Sequence, residues 1–103
     1  MKRGEVRWYQ FASPDKRRPV LVLTRDSVLA YLGEVTVAPV TGTIRDIPSE
    51  VFLSAQDGMP RDSAVNCDHL QTVAKAKLGA LIASLPPAKM AAVGRAIRFA
   101  INI

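Results

Sequence analysis

The chain has 103 residues, a formal net charge of +5 and 49% hydrophobic residues. This length suits one domain, which we take as residues 1–103, and the hydrophobic content argues against disorder. No apolar run approaches the roughly 18 residues of a membrane span, and no apolar stretch follows the charged N-terminus as in a signal peptide. The single cysteine, Cys67, cannot form an internal disulfide. We therefore expect a cytoplasmic protein without membrane association.

The charges are unevenly distributed. Residues 1–25 carry seven basic and two acidic residues, residues 26–74 carry two and seven, and residues 75–103 carry five and none. Basic ends suggest a polyanionic partner, either a nucleic acid or an acidic peptide. A surface charge that serves only solubility explains the same pattern equally well.

Two strands are predicted in the first quarter of the chain. Aromatic and β-branched residues predict a strand over Val6 to Phe11, followed by a turn at Ser13-Pro14-Asp15. The continuous apolar run from Pro19 to Thr24 predicts a strand buried on both faces. A proline can open such a strand but is not expected in its middle.

The central part of the chain alternates between short strands and turns. One helical turn within a loop is expected over Arg25 to Leu32, and a third strand over Glu34 to Val40. Residues 41–48 predict an exposed loop, Glu50 to Leu53 a short strand, and Asp57-Gly58 a turn. Residues 63–73 predict one long strand or two strands joined at a bend.

A last strand and a helix complete the predicted fold. The strand covers Lys77 to Ala83 with a possible bulge at Gly79, and the helix begins at Pro86-Pro87. Its apolar stripe comprises Met90, Val93, Ile97 and Ile101. About six short strands and one C-terminal amphipathic helix indicate a mainly β (α+β) fold, a small, mostly antiparallel barrel capped by the helix.

The usual catalytic patterns are missing from the sequence. Cys67 and His69 are too few for a zinc cluster, and there is no phosphate-binding or dinucleotide-binding glycine motif, so we expect no metal and no cofactor. On a strand Cys67 and His69 would face the same side, which makes a Cys–His catalytic pair formally possible. The small, apolar setting of Cys67 favours a core position instead.

Two strand boundaries carry residues suited to phosphate binding. Arg17 and Arg18 precede the most hydrophobic strand, and a planar guanidinium matches a phosphate group. Thr41 follows the third strand. Solvated charges and an ordinary turn hydroxyl are the alternative interpretations. Trp8 and Tyr9 face opposite sides of their strand, so that one is expected in the core and the other is free to stack on a base.

The order of several segments is more specific than any one of them. KRGEVRW, RRPVLVLTRD, VTVAPVTG and PRDSAVNCDHLQTV follow one another and precede the amphipathic helix. This series resembles the MazF/PemK family of toxin endoribonucleases over nearly the whole chain. The resemblance implies an SH3-like barrel of the CcdB/PemK type and a homodimer. It also implies metal-independent, sequence-specific cleavage of single-stranded RNA by 2′-hydroxyl attack, and a cognate antitoxin with a flexible acidic segment.

The resemblance also assigns residues. Arg18 and Thr41 match the family's catalytic pair, in which the arginine stabilises negative charge and the threonine donates to a phosphoryl oxygen. The residues expected to contact RNA are Asp15, Lys16, Arg17, Arg45, Asp68, His69 and Gln71. His69 stands where relatives often carry glutamine, which implies base recognition or a structural role.

The first loop departs from the family pattern. It is only ASPDKR, and the glutamate that many relatives carry before the arginine is absent. Asp15 is a candidate replacement, and the identity of the general base stays open.

Two other functions are compatible with the predicted fold. One is a non-enzymatic toxin that resembles CcdB and poisons DNA gyrase, and the other is a simple nucleic-acid-binding barrel. Arg18 and Thr41 favour the nuclease, because a gyrase poison needs neither residue at these positions.

Overall fold

The computed structural model describes residues 1–11 and 17–103, and over these residues the chain forms an antiparallel half-barrel sheet with a C-terminal helix. The elements are β1 (Glu5–Gln10), β2 (Arg17–Val22), α1 (Asp26–Leu29), β3 (Glu34–Thr41), β4 (Glu50–Leu53), β5 (Ser63–Asn66), β6 (Gln71–Ala74), β7 (Leu78–Ser84) and α2 (Pro87–Ile101). The seven strands of this described part exceed the predicted number by one. The predicted turn at Ser13-Pro14-Asp15 and the predicted site residues Asp15 and Lys16 lie outside the described residues.

The sheet is organised around β3. Its strand order is β4-β5-β3-β2-β1-β7, and β6 also pairs with β3. The first half of β3 pairs with β6 from Glu34 to Val37, and its last two residues pair with β5. The interruption between β5 and β6 lies opposite Ala38 and Pro39. Pro39 has no amide hydrogen, so its position in this gap costs no ladder hydrogen bond on that side.

β2 separates two hydrophobic cores, which confirms the prediction of a strand buried on both faces. Val20 and Val22 pack into one core, while Leu21 and Leu23 pack into the other. The second core is the larger one and is covered by α2 through Val93 and Ala96. The alternation of β2 therefore divides the half-barrel into two faces.

Pro19 is the third residue of β2, whereas the sequence predicted a strand that opens with it. It pairs with Trp8 of β1, while the pairing with β3 begins only at Val20. The nitrogen of Pro19 can therefore face the β3 side, where β2 is not paired at this residue. Arg17 and Arg18 also lie within β2, because they pair with Gln10 and Tyr9 of β1.

The remaining local predictions are largely confirmed. Residues 63–73 form two strands joined by a 3-10 turn at Cys67–His69, and α1 is a single helical turn. The bulge at Gly79 is present. Tyr9 pairs with Leu78 and Arg7 pairs with Leu81, so β7 has one residue more than β1 between these two pairs. No helix of the described residues is both long and apolar enough to cross a bilayer.

The prediction for the apolar stripe of α2 is wrong at its end. Ile101 is 52% exposed, whereas Met90, Val93 and Ile97 contact the core as predicted. Ala96 and Ala100 occupy the buried side of the last two turns. The buried face of α2 therefore ends with Ala96, Ile97 and Ala100, and Ile101, the last residue of the helix, points to the exposed side.

Candidate active site

Strand pairing places Arg18 and Thr41 at equivalent positions on neighbouring strands. β2 pairs with β3 from Val20 opposite Pro39 to Val22 opposite Val37, and this register, extended two residues beyond the paired segment, aligns Arg18 with Thr41. Both side chains share the face of the sheet on which Val20 lies, because side chains alternate along a strand. Sheet geometry therefore brings the two predicted catalytic residues together.

Arg18 and Thr41 line a pocket of about 300 Å³, which we call the Thr41 pocket. The pocket lies where the sheet is interrupted beside Pro39 and the chain turns between β5 and β6. Its lining residues are Phe11, Arg18, Pro39, Val40, Thr41, Arg45, Asn66, His69 and Gln71. None of these described residues is a carboxylate, and two are arginines. The pocket is therefore suited to an anionic ligand.

Thr41 is oriented by the loop that follows β3. Its Oγ1 accepts a hydrogen bond from the backbone N–H of Thr43 at 3.1 Å. This bond uses a lone pair of the hydroxyl and leaves its hydrogen free to donate. The side chain is half-buried, so the hydroxyl is accessible to a ligand.

Arg45 is anchored at the other side of the Thr41 pocket by Glu50. The backbone N–H of Arg45 donates to Glu50 Oε1 at 2.9 Å, and Arg45 Nη1 lies 3.6 Å from Glu50 Oε2. Glu50 is nearly buried, and its Oε2 has no hydrogen-bond partner among the described residues, so the contact is ionic. The guanidinium of Arg45 is half exposed and can also meet a ligand.

The turn that carries His69 is held by a network of polar groups. The N–H of Cys67 donates to the carbonyl of Ser49 at 3.0 Å, and Ser49 Oγ donates to Asp68 Oδ2 at 2.6 Å. The N–H of Asp68 donates to Asn66 Oδ1 at 3.0 Å, while Asn66 Nδ2 lies 3.3 Å from His69 Nδ1. Asn66 and Ser49 are buried. His69 is therefore positioned by a rigid turn.

A second pocket of about 360 Å³ lies on the opposite face of β2, and we call it the Trp8 pocket. Its lining residues are Trp8, Arg17, Arg18, Pro19, Val40, Gly42, Met59, Pro60, Arg61 and Ser63. Arg17 stacks over Trp8, with its Cζ 4.7 Å from the ring centroid. The hydroxyl of Ser63 is buried and has no hydrogen-bond partner among the described residues. Arg18 lines both pockets and so connects them.

The two aromatic residues of β1 lie on opposite faces, as predicted. Tyr9 packs against the smaller core and makes an edge-to-face contact with Phe11, with ring centroids 4.8 Å apart. Trp8 lines the Trp8 pocket. Of the two, Trp8 is thus the aromatic residue of β1 that is available to a ligand.

Cys67 is not arranged as a nucleophile. Its side chain is fully buried, and burial, aided by Asp68 and Glu50, raises the pKa of its thiol to about 11. Cys67 and His69 belong to a 3-10 turn and not to a strand, so they do not share a face. Within the described residues, no group of three or more His, Cys, Asp or Glu side chains is arranged to hold a metal ion.

The structure places most of the predicted site residues in one of the two pockets. Arg18, Thr41, Arg45, His69 and Gln71 meet in the Thr41 pocket, and Arg17 lies in the Trp8 pocket. Asp68 lines neither pocket and instead accepts the hydrogen bond of Ser49.

Sequence reasoning missed several lining residues, among them Phe11, Arg61 and Asn66. The signal for Asn66 was its spacing, since an asparagine two residues before Asp68 can bond to that backbone N–H. Phe11 and Arg61 carried no such signal, because they join the pockets only through the fold.

A larger depression lies apart from both pockets. It shares no lining residue with them and is bordered by Met1, Lys2, Asp26, Leu29, Ala30 and Lys75. Asp26 accepts from the N–H of Arg3, and Lys75 Nζ donates to the carbonyl of Leu29. Its charged groups are therefore largely engaged in holding α1.

The antiparallel half-barrel with a C-terminal helix and an arginine-lined pocket places the chain among small, mainly β proteins, and comparison with known proteins identifies the family. Residues 2–101 match the family described as PemK-like, MazF-like toxin of type II toxin-antitoxin system. The chain belongs to this family.

Curated relatives and solved structures agree with this assignment. Endoribonuclease MazF3 of Mycobacterium tuberculosis is 43% identical over 88% of this chain and 92% of its own length. Probable endoribonuclease MazF5 of the same species is 42% identical over 97% and 92%. The structure of the M. tuberculosis toxin MazF-mt6 superposes with a TM-score of 0.88 at 38% identity, covering 96% of this chain and 97% of that one. A structure of MazE-MazF from Deinococcus radiodurans gives a TM-score of 0.81 at 25% identity, covering 100% and 96%.

Proposed function

We propose that this toxin is a sequence-specific endoribonuclease that cleaves single-stranded RNA through its 2′-hydroxyl and needs no metal ion. The observation that carries the proposal is the placement of Arg18 and Thr41 at aligned positions of β2 and β3. Both residues line one pocket, and none of the described residues that line it is a carboxylate. The relatives with 42–43% identity are named endoribonucleases or probable endoribonucleases, which supports the same activity.

The proposed reaction uses the RNA's own nucleophile. The 2′-oxygen forms a bond to the adjacent phosphorus, the bond from phosphorus to the 5′-oxygen breaks, and the 5′-oxygen takes up a proton. The products carry a 2′,3′-cyclic phosphate and a 5′-hydroxyl. The protein has to accept the 2′-hydroxyl proton and stabilise negative charge on the phosphorane.

Arg18 and Thr41 are suited to the second of these tasks. The guanidinium of Arg18 offers a charge and paired donors to the phosphoryl oxygens. Thr41 adds a hydroxyl donor, because the N–H of Thr43 already occupies one of its lone pairs. Arginine is too basic to accept the proton at neutral pH, so it is not the general base. Asp15, which lies outside the described residues, is our candidate for that role.

The two pockets suggest a path for the RNA. With the scissile phosphate at Arg18, one flanking nucleotide would enter the Thr41 pocket and the other the Trp8 pocket. Arg45, His69 and Gln71 would contact the first nucleotide. In the Trp8 pocket, Arg17 and Trp8 offer a guanidinium and an aromatic face, and stacking of a base is typically worth about 1–3 kcal/mol. Lys16 belongs to the same proposed surface, whereas Asp68 acts through the turn that it stabilises.

The toxin would act in the cytoplasm as a homodimer and be neutralised by a cognate antitoxin. The family is defined by toxin-antitoxin systems, and a MazF relative is known in a structure of MazE-MazF. The arginines of the pockets favour an antitoxin with a flexible acidic segment that folds onto the toxin. Such a segment would compete with RNA for Arg18.

The direct test is cleavage of a mixed RNA in the presence of excess EDTA, with mapping of the new ends. We expect 5′-hydroxyl ends and cyclic or 3′-phosphate ends at recurring short motifs. A matched substrate with 2′-deoxyribose at the cut site should resist cleavage. Loss of activity in EDTA with recovery on addition of magnesium would refute the mechanism. DNA gyrase inhibition without RNA cleavage would instead favour a CcdB-like toxin, and RNA binding without cleavage a simple binding barrel.

A further inference from the structure

The side-chain amide of Asn66 makes two polar contacts, and one of them is with the ring of His69. The side-chain amide of Asn66 contacts the backbone N–H of Asp68 with one atom and His69 Nδ1 with the other. A backbone N–H can only donate, so the atom that faces Asp68 must be the carbonyl oxygen Oδ1. The NH₂ group of Asn66 consequently faces His69, and the reverse orientation would oppose two donors at Asp68.

This orientation is locked by the surroundings of Asn66. The residue is 5% exposed and pairs with Glu50 in the sheet, so its backbone cannot shift toward another arrangement. Asp68 is held from its other side by Ser49 Oγ at 2.6 Å. The amide of Asn66 therefore presents a fixed donor to His69 Nδ1 at 3.3 Å.

We propose that Asn66 is a positioning residue that keeps neutral His69 in the Nε2–H tautomer, so that His69 offers a hydrogen-bond donor to an acceptor atom of an RNA base. A nitrogen that accepts from Asn66 cannot carry the proton, and in a neutral imidazole the proton must then lie on Nε2. Nε2 has no hydrogen-bond partner among the described residues, and the His69 ring lines the Thr41 pocket. The part of the proposal that concerns the base rests on the proposed ribonuclease function.

Two consequences follow for the site. In this tautomer the free nitrogen of His69 has no lone pair, so it does not remove the 2′-hydroxyl proton. Instead, Nε2–H donates a hydrogen bond to an acceptor atom of the bound nucleotide. Sequence-specific recognition of single-stranded RNA commonly uses such contacts to base edges.

The tautomer can be measured directly, because His69 is the only histidine of the chain. Protein labelled with ¹⁵N-histidine is examined by long-range ¹H–¹⁵N NMR at about pH 8, where an ordinary imidazole is neutral. We expect a protonated Nε2 and an unprotonated Nδ1 in the RNA-free protein. A proton on Nδ1, or fast averaging between the two forms, would overturn the proposal whether or not the protein cleaves RNA.

Asn66→Asp provides the matched variant. The carboxylate keeps the size and the acceptor for Asp68, but it also accepts from His69, so the neutral ring should switch to the Nδ1–H form. Asn102→Asp, a change of the same type at the C-terminal end of α2, should leave the tautomer unchanged. If Asn66→Asp does not fold, Asn66→Ser shortens the side chain so that its hydroxyl no longer reaches His69 Nδ1, and it adds no charge; the preference for one tautomer should then disappear. An unchanged tautomer in a folded Asn66 variant would refute the role of Asn66.

Cleavage mapping at the same pH tests the role in recognition. With the donor of His69 replaced by an acceptor, we expect Asn66→Asp to change the preferred base at one position of the cleavage motif. If the contact is to a phosphate oxygen, the variant will slow all sites equally and keep the motif. An equal slowing, or an unchanged motif and rate despite a switched tautomer, would overturn base recognition by His69.

Discussion

Arg18 stands at the junction of the two pockets, and this position gives the strongest prediction at the scale of single residues. It lines both the Thr41 pocket and the Trp8 pocket, whereas Arg17, Arg45 and Arg61 each line only one. A group that touches the scissile phosphate should matter for the chemical step, because it stabilises charge that develops in the transition state.

We expect Arg18→Ala to lower the cleavage rate by about 10²–10³, the usual cost of one preorganised donor. Arg18→Lys should recover only part of this loss, since an ammonium lacks the planar paired donors. Arg98→Ala removes an exposed arginine of α2 and serves as the control. Rates are measured under single-turnover conditions, with circular dichroism to verify folding. Full activity in a folded Arg18→Ala variant would show that the site lies elsewhere.

Thr41 allows a comparison between two variants of similar shape. Thr41→Val removes the hydroxyl and should slow cleavage, while Thr41→Ser retains a donor and should be affected less. The hydroxyl also accepts from the N–H of Thr43, so the stability of both variants has to be measured by urea denaturation. A slow Thr41→Ser variant beside a fully active Thr41→Val variant would mean that the methyl packing of Thr41 matters and its hydrogen bond does not.

Cys67 predicts a loss of stability at alkaline pH. Burial disfavours the thiolate and raises the pKa of its thiol in the folded protein from an ordinary 9.0 to about 11. Between these values the unfolded chain loses its proton and the folded chain keeps it, so stability falls as the pH rises. The contribution is at most about 3 kcal/mol.

The measurement compares wild type and Cys67→Ala by urea denaturation between about pH 8 and pH 10.5. Cys67→Ala creates a small cavity and is less stable at neutral pH, but its stability should decline less steeply with pH. Parallel curves for the two proteins would contradict the assignment. Thiol reagents should also fail to label Cys67 in the folded protein.

At the scale of elements, the glycines of a turn and of a helix are expected to respond in opposite directions to the same substitution. Gly58 ends the 3-10 turn after β4 with a φ of 92°, and an added Cβ would lie 3.2 Å from the Cβ of Ala83. Gly94 lies within α2, where an added Cβ meets no atom within 4 Å.

Gly58→Ala should destabilise the protein by about 1–2 kcal/mol, the cost of a left-handed conformation for a residue with a side chain. Gly94→Ala should stabilise it by about 0.5–1 kcal/mol through helix propensity. Urea denaturation of both variants measures the difference. A stabilised Gly58→Ala variant would mean that this turn does not require a left-handed residue.

The interruption of the sheet beside Pro39 is the feature of the elements that creates the site. If β5 and β6 were one continuous strand along β3, the turn with Asn66 and His69 would not exist. Two prolines, Pro19 and Pro39, mark the places where β2 and β3 lack a partner on one side. A proline is tolerated at each of these positions because no ladder hydrogen bond is lost. Pro19 lines the Trp8 pocket and Pro39 lines the Thr41 pocket.

At the scale of the whole molecule, we expect a homodimer. A small domain buries limited surface by itself, and large apolar side chains remain exposed here, among them Phe99 at 62% and Leu81 at 51%. Light scattering at micromolar concentration should give twice the 11.2 kDa mass of the chain. A single species of 11.2 kDa would contradict the prediction.

The positions of most secondary-structure elements along the chain could be predicted from the sequence. Hydrophobic periodicity located most of the strands and the helix, because alternation and the spacing of three or four residues follow directly from backbone geometry. The resemblance to a family pointed to Arg18 and Thr41. Ile101 was placed wrongly, since small residues such as Ala96 and Ala100 turned the buried face of α2 away from it.

Only the tertiary structure decided which distant residues meet. The register of β2 and β3 brings Arg18 opposite Thr41, and the turn after β5 adds Asn66 and His69 to the same pocket. Register depends on the packing of both cores and on long-range pairing, which local pattern does not specify. The tautomer of His69 depends in turn on the amide of Asn66, and the orientation of that amide follows from one backbone N–H whose position is defined only in the folded chain.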